Sequence, residues 1–270
     1  MKIGFIGIGN MGGAILSGYA ATEAAGGHQL MAFDMNEELC DKTKANIPTL
    51  EVCESGRALC KEADLIILGV KPQVIESVLE EISATYDTSK TIVSMAAGVD
   101  MAVIEKYLGS DAKVIRIMPN TPAKVGEAMI AVCRNANAEP EVFDAAMEIF
   151  GSIGKAEEVE EKLIDCVIGV SGSSPAYTYM YIEALTDAAE ANGMERAKAR
   201  VFAAQAVLGA AKMVLERPET LEQLRINVCS PNGTTIEAVN KLFENGFMDK
   251  AKEGFQAAVD RSIEMAAKSF

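Results

Sequence analysis

The chain has 270 residues, 49% hydrophobic and 24% charged, enough to bury a core in one large or two medium domains. Its 39 acidic residues outnumber 25 basic ones, and the resulting net charge of −14 argues against nucleic acid or an anionic membrane as a partner, since both require a basic face. One histidine and six scattered cysteines without a C-x-x-C pair imply no metal site, and the thiols are expected to be reduced, mostly small core residues of a cytoplasmic protein.

The chain opens with MKIGFIGIGNMG. An apolar run to Ile8 is expected to be a buried strand, followed by Gly7, Gly9 and Gly12 in G-x-G-x-x-G spacing and then by a helical pattern from Met11. Gly7 permits the tight turn, Gly9 lets a pyrophosphate approach the backbone, and Gly12 lets helix and strand pack closely. The helix start adds free N–H groups and a positive dipole end, so residues Ile8, Asn10 and Met11 join the glycines as cofactor-binding candidates. Three glycines within nine residues deny this stretch the apolar core of a signal peptide, and no run of about 18 uncharged apolar residues follows anywhere.

Strands are expected at 2–7, 29–33, 50–53, 64–70, 91–95, 113–117 and 128–132, and helices near 11–25, 36–46, 55–62, 73–84, 100–108 and 139–150. Runs such as ADLIILGV and TIVSM are continuous rather than alternating, as in a parallel sheet covered on both faces. The fold class expected is therefore α/β followed by all-α: a doubly wound Rossmann-type sheet over residues 1–160, then helices over 161–270. The second strand ends in Asp34, the acid that a dinucleotide site places against a ribose 2′-hydroxyl. Later strands end in LGVKPQ (68–73), SMAAGV (94–99) and RIMPNTP (116–122). Val70, Lys71, Pro72, Ala97 and Asn120 are accordingly expected along the cofactor, with the Asn120 amide orienting a carboxamide or the substrate.

Beyond residue 160, helices are expected at 163–170, 174–192, 196–216, 219–226, 234–245 and 248–268. The stretch from Arg196 to Leu215 is apolar on more than one face, which points to burial in a core or between subunits of a homodimer. GVSGSSPAY (169–177) interrupts a helical pattern at Gly172 and Pro175, and CSPNGTTIEAV (229–239) places a turn before a helix. Thr234 or Thr235 serves there as an N-cap, or the amides of Gly233, Thr234 and Thr235 bind a carboxylate while a threonine hydroxyl faces the reacting centre. The single histidine, His28, precedes the second strand and is expected at the surface, away from the chemistry. Alcohol dehydrogenases need an acid/base such as His or Lys. None stands in these motifs, so an imine, which carries its own proton as the iminium, suits the site better.

GIGNMG, GVKPQ, SMAAGV, RIMPNTPA, GVSGSSPAY and NVCSPNGTTIEA, in this order along essentially the whole chain, resemble pyrroline-5-carboxylate reductase. The resemblance implies reduction of Δ1-pyrroline-5-carboxylate to L-proline with NADPH or NADH, and a helical domain that dimerises, often into assemblies of dimers. By position it implies that Gly7 to Gly12 hold the pyrophosphate and that Val70, Lys71, Pro72, Ala97 and Asn120 line the ribose and nicotinamide. Ser174, Pro175, Gly233, Thr234 and Thr235 fall to the substrate, with the Thr235 hydroxyl on the imine nitrogen. Asn232 and Ser174 stand where the family commonly has glycine; Asn tolerates a left-handed backbone, so the first keeps the turn. Asp34, with no arginine between it and Asp41, favours NADH. The alternatives are a reductase of another cyclic imine acid, a β-hydroxyacid dehydrogenase, and a nucleotide sensor. The second needs a lysine in the helix from Pro175 to Asn192, which has none.

Overall fold

The apolar runs assemble into one sheet. The computed structural model describes residues 1–269 and contains strands β1 (Lys2–Ile6), β2 (Gln29–Phe33), β3 (Glu51–Val52), β4 (Leu65–Leu68), β5 (Thr91–Ser94), β6 (Lys113–Met118), β7 (Ala128–Arg134) and β8 (Gly154–Glu158). Their order is β3-β2-β1-β4-β5-β6-β7-β8. Every neighbouring pair is parallel except β6 and β7, which residues 119–127 join too directly for a crossover. Strand β8, sequence GKAEE, is not among the expected strands. It lies at the sheet edge, mostly exposed, and so lacks the apolar run that marks a central strand.

Alternation within each strand feeds two separate cores. Ile3 and Phe5 of β1, Leu65 and Ile67 of β4, and Ile115 and Ile117 of β6 pack on one face. There they meet α1 (Asn10–Ala20), α2 (Glu37–Asn46) and α6 (Pro140–Gly151) through Leu16, Cys40 and Phe150. Ile6, Ile66, Leu68 and Val114 pack on the other, against α3 (Gly56–Glu62), α4 (Ile75–Ser83), α5 (Met101–Leu108) and α7 (Ile164–Val167). Burying each such side chain contributes about 1.5–3 kcal/mol, so both faces of the sheet are committed and the functional groups are left to the strand ends.

The first helix stops at Ala20, short of the expected 25, and the chain continues as a 3-10 turn at Glu23–Gly27. His28 follows that turn and is half-buried rather than a surface residue: its Nδ1 lies 2.6 Å from the hydroxyl of fully buried Tyr19. It stands at the amino end of β2, opposite the strand ends where ligands bind.

The helices α8 (Ser174–Ala191), α9 (Arg196–Glu216), α10 (Leu221–Val228), α11 (Thr234–Glu244) and α12 (Phe247–Ser269) complete the chain. One compact unit comprises Met1–Ser173 with the chain from Ala257 onward, and the other Ser174–Gln256. That division comes later than the compositional change near residue 160, and the last helix contributes to both units. Within the first unit, Ser262 donates to Asp165 Oδ1 at 2.6 Å. Within the second, few side chains are buried, among them Thr186, Ala199 and Ala203. Among the described residues no helix is long and apolar enough to cross a membrane.

Candidate active site

The order of strands reverses between β1 and β4, and the loops leaving these two strands carry the first half of the site. Gly7 has φ +90°, a conformation that favours glycine, and a Cβ there would stand 2.7 Å from Val70 Cγ1. A Cβ on Gly12 would collide with the Gly7 carbonyl oxygen, and so would one on Gly69. Gly69 is a requirement that the spacing argument missed, although it sits in the quoted LGVKPQ; only the pairing of β1 with β4 reveals that it faces Gly7. Gly9 differs from these. A Cβ there would meet nothing within 4 Å, so the space over it is open to a ligand's approach.

Gly9 caps α1 without a side-chain hydrogen bond, and no acid stands in the helix's first turn, so the terminal N–H groups and the dipole are free for an anion. Asn10 is exposed at this end, whereas Met11 packs its side chain on the core. Ile8 departs from expectation: it is buried, and its N–H donates to Asp34 Oδ2 at 2.9 Å, so this amide is not offered to a phosphate. The other Asp34 oxygen accepts from Asn36 N–H at 3.0 Å. Asp34 therefore first holds the glycine loop in place, and it also lines the cavity beside that loop.

That cavity has a volume of about 400 Å³ and is bounded by Gly7, Gly9, Asp34, Gly69, Val70 and Lys71, with Glu81 at its edge. An adjoining hollow shares Phe33, Asp34 and Met35 and is rimmed by Glu37, Asp41 and Glu54. This hollow is thus strongly acidic. Lys71 is exposed and precedes a 3-10 turn at Pro72–Val74, where Pro72 supplies the fixed φ of a first helical position. Ala97 is half-buried in the turn after β5. The glycine cradle, the uncapped helix end and the cavity together fit a dinucleotide.

Asn120 has a structural role beyond the one expected of it. It is nearly buried, its Oδ1 accepts from Met129 N–H at 2.9 Å, and its Nδ2 donates to the Ser171 carbonyl at 3.1 Å. One Nδ2 hydrogen and the Oδ1 thus go to the backbone, a role the expected orienting of a carboxamide did not include.

In the helical unit, Asn232 has φ 58°, the only positive φ of a non-glycine among the described residues, so the left-handed turn expected of it is present. A Cβ on Gly233 would collide with Ser230 Oγ, and Gly233 N–H donates to Ser230 O at 3.0 Å. Gly233 therefore offers no free amide. It is also the N-cap of α11, a place expected for Thr234 or Thr235; these two occupy the first helical positions, where the backbone N–H groups have no intrahelical acceptor. The side chain of Thr234 is exposed and that of Thr235 half-buried. Ser174 opens α8 without needing a positive φ, so its replacement of a glycine costs no backbone strain. It lines an open groove of about 460 Å³ with Tyr177, Tyr181, Val207 and Phe247. Among the described residues no hydrogen bond joins Ser174 or Pro175 to the 233–235 segment within one chain. Buried Cys133 and half-buried Cys53 are unsuited to nucleophilic roles, because burial, and then nearby glutamates, pushes each thiol up to about 11.

A model of the pyrroline-5-carboxylate reductase dimerisation region matches residues 161–265, and one of coenzyme F420-dependent NADP oxidoreductases matches residues 2–98. The chain is 44% identical over 269 residues to the pyrroline-5-carboxylate reductase of Escherichia coli, covering 98% of each. It is 39% identical over 267 residues to that of Methanosarcina acetivorans, covering 99% of this chain and 98% of the relative. The crystal structure of the Plasmodium falciparum pyrroline carboxylate reductase with NADP bound superposes with a TM-score of 0.88 at 31% identity, covering 98% of both chains.

Proposed function

This chain belongs to the pyrroline-5-carboxylate reductase family, and from that membership we propose how its residues divide the work. It reduces Δ1-pyrroline-5-carboxylate to L-proline with NAD(P)H, the final step of proline biosynthesis. The α1 terminus and the glycine loop hold the pyrophosphate, Val70, Lys71, Pro72 and Ala97 line the ribose and nicotinamide, and the reduced nicotinamide supplies a hydride to the imine carbon. The observation that carries the substrate assignment is the start of α11, where Asn232 and Gly233 turn the chain so that the Thr234 and Thr235 amides face outward for a carboxylate.

The Thr235 hydroxyl hydrogen-bonds the ring nitrogen and fixes the presentation of the C=N bond. It is not asked to be a strong acid, because the iminium already carries its proton. Ser174 and Pro175 shape the substrate side at the entry to α8. Positioning and exclusion of water then supply most of the rate. The acidic rim of Asp34, Glu37, Asp41 and Glu54 disfavours a 2′-phosphate, so NADH is the preferred donor of the two.

The helices from residue 161 form the dimerisation and substrate domain of a homodimer, which can assemble further; the match over 161–265 and the exposed apolar residues of α9 support this. Six unpaired thiols suit the reducing cytoplasm.

The test follows loss of reduced-nicotinamide absorbance with Δ1-pyrroline-5-carboxylate, in parallel for NADH and NADPH. Proline formation is expected with both, faster with NADH. Binding of both cofactors without turnover on this imine would overturn the substrate reading. Thr235→Ala is expected to lower kcat by roughly a hundredfold, the range for loss of one oriented hydrogen-bonding group, with cofactor affinity nearly unchanged. Lost cofactor affinity with turnover intact would show that Thr235 has the wrong role.

A further inference from the structure

Two of the motifs are joined by one side chain. A π-helical turn at Ile168–Gly172 links α7 to α8, with Ser173 N–H donating to the Ile168 carbonyl at 2.8 Å. Such turns interrupt the regular ladder and leave carbonyls in need of partners. In a regular helix the Ser171 carbonyl would accept from the residue four places on, which is Pro175 and has no N–H to give. Asn120 Nδ2 takes this place at 3.1 Å, and Asn120 Oδ1 is itself held by Met129 N–H of β7 at 2.9 Å. The same residue opens the 3-10 turn Thr121–Val125, accepting from Ala123 N–H through its carbonyl at 3.2 Å. That turn packs on α1, where a Cβ on Gly18 would lie 3.7 Å from Ala123 O.

We propose that Asn120 is a positioning residue, a clamp that ties the loop after β6 to the π-turn leading into Ser174 and Pro175. The amide shares its two ends between a strand and a carbonyl that a proline has orphaned. An apolar side chain would leave two partly buried backbone groups unpaired. Asn120 thereby sets where α8 begins, and so the presentation of its first residues, without touching the cofactor. The inference rests on the substrate-side reading of Ser174 and Pro175.

The test compares Asn120→Ala, Asn120→Asp, Pro175→Ala and Asn120→Ala/Pro175→Ala in the full-length enzyme. Melting temperature, NADH affinity, and kcat and KM for Δ1-pyrroline-5-carboxylate are measured for each. Asn120→Asp keeps the acceptor for Met129 but sets an oxygen against the Ser171 carbonyl. Both Asn120 variants are expected to lose at least tenfold in kcat/KM while NADH affinity stays within twofold. Pro175→Ala restores a backbone N–H four residues after Ser171, so the double variant should lose less than the product of the two single losses. A tenfold loss of NADH affinity with substrate parameters kept would make Asn120 a cofactor ligand and overturn the clamp, as would unchanged kinetics or strictly multiplicative losses. Should Asn120→Asp fail to fold, the alanine cycle carries the same comparison. Wild-type turnover separates the two readings: an inactive wild type fails the assignment of the substrate, whereas an active one with multiplicative losses fails the clamp alone.

Discussion

Asp34 ties the glycine loop to the end of the second strand. Its carboxylate binds the Ile8 and Asn36 amides, which fixes the glycine loop against the end of β2. It also contributes negative charge to the cavity, beside Glu37 and Asp41 of α2. Asp34→Ser keeps a small acceptor for an amide and removes the charge. It is expected to shift the ratio of kcat/KM values toward NADPH by roughly tenfold, about 1.4 kcal/mol, at some cost in melting temperature. An unchanged ratio would mean that the charge does not reach the ribose. The place of Asp34 at the end of β2, beside the glycine loop, was legible in the sequence, whereas its bond to Ile8 was not, because it joins residues whose proximity depends on β1 pairing with β2.

At the scale of the element, the start of α11 is a turn built from three constraints. Asn232 takes the left-handed conformation, Gly233 makes room for Ser230, and the helix begins with two threonines. Asn232→Gly is expected to leave stability within about 0.5 kcal/mol, while Asn232→Val loses about 1–2 kcal/mol, the cost of a left-handed residue with a branched side chain. Thermal melts check the first quantity, and a parallel rise in KM for the imine acid checks that the turn presents the substrate groups. The motif SPNGTT announced this turn, but placed the cap at Thr234 or Thr235, one or two residues late. Whether a threonine or the preceding glycine caps a helix depends on where the turn ends, and that is set by the Gly233 to Ser230 hydrogen bond.

For the whole molecule, the question is what covers α9. Its residues Val201, Phe202 and Leu208 are 65%, 60% and 56% exposed in the single chain, although the sequence pattern called for burial. An apolar helix left open in one chain fits an interface in a homodimer. Phe202→Glu is expected to weaken self-association by roughly a hundredfold, the effect of removing a central apolar anchor, and to move the protein from dimer to monomer in sedimentation. A wild type that sediments as a monomer, or a variant that stays dimeric, would count against α9 as the interface.

The sequence alone determined the character of the parts. Strand runs apolar without alternation specify a sheet covered on both sides, glycines at set spacing specify a tight turn packed closely on a helix, and Asn in a Pro-Asn-Gly turn specifies a left-handed residue. These are local properties, decided by sterics and by the period of side chains along a single element. Only the tertiary structure decided which partners the polar groups take. Ile8 gives its amide to Asp34, Asn120 gives its side chain to Ser171 and Met129, Gly69 must be small because Gly7 lies opposite, and β8 is a strand because β7 offers it an edge. Each of these follows from separate elements meeting when the chain packs. A buried donor or acceptor must be paired there, but which group pairs with it depends on what packing brings within reach.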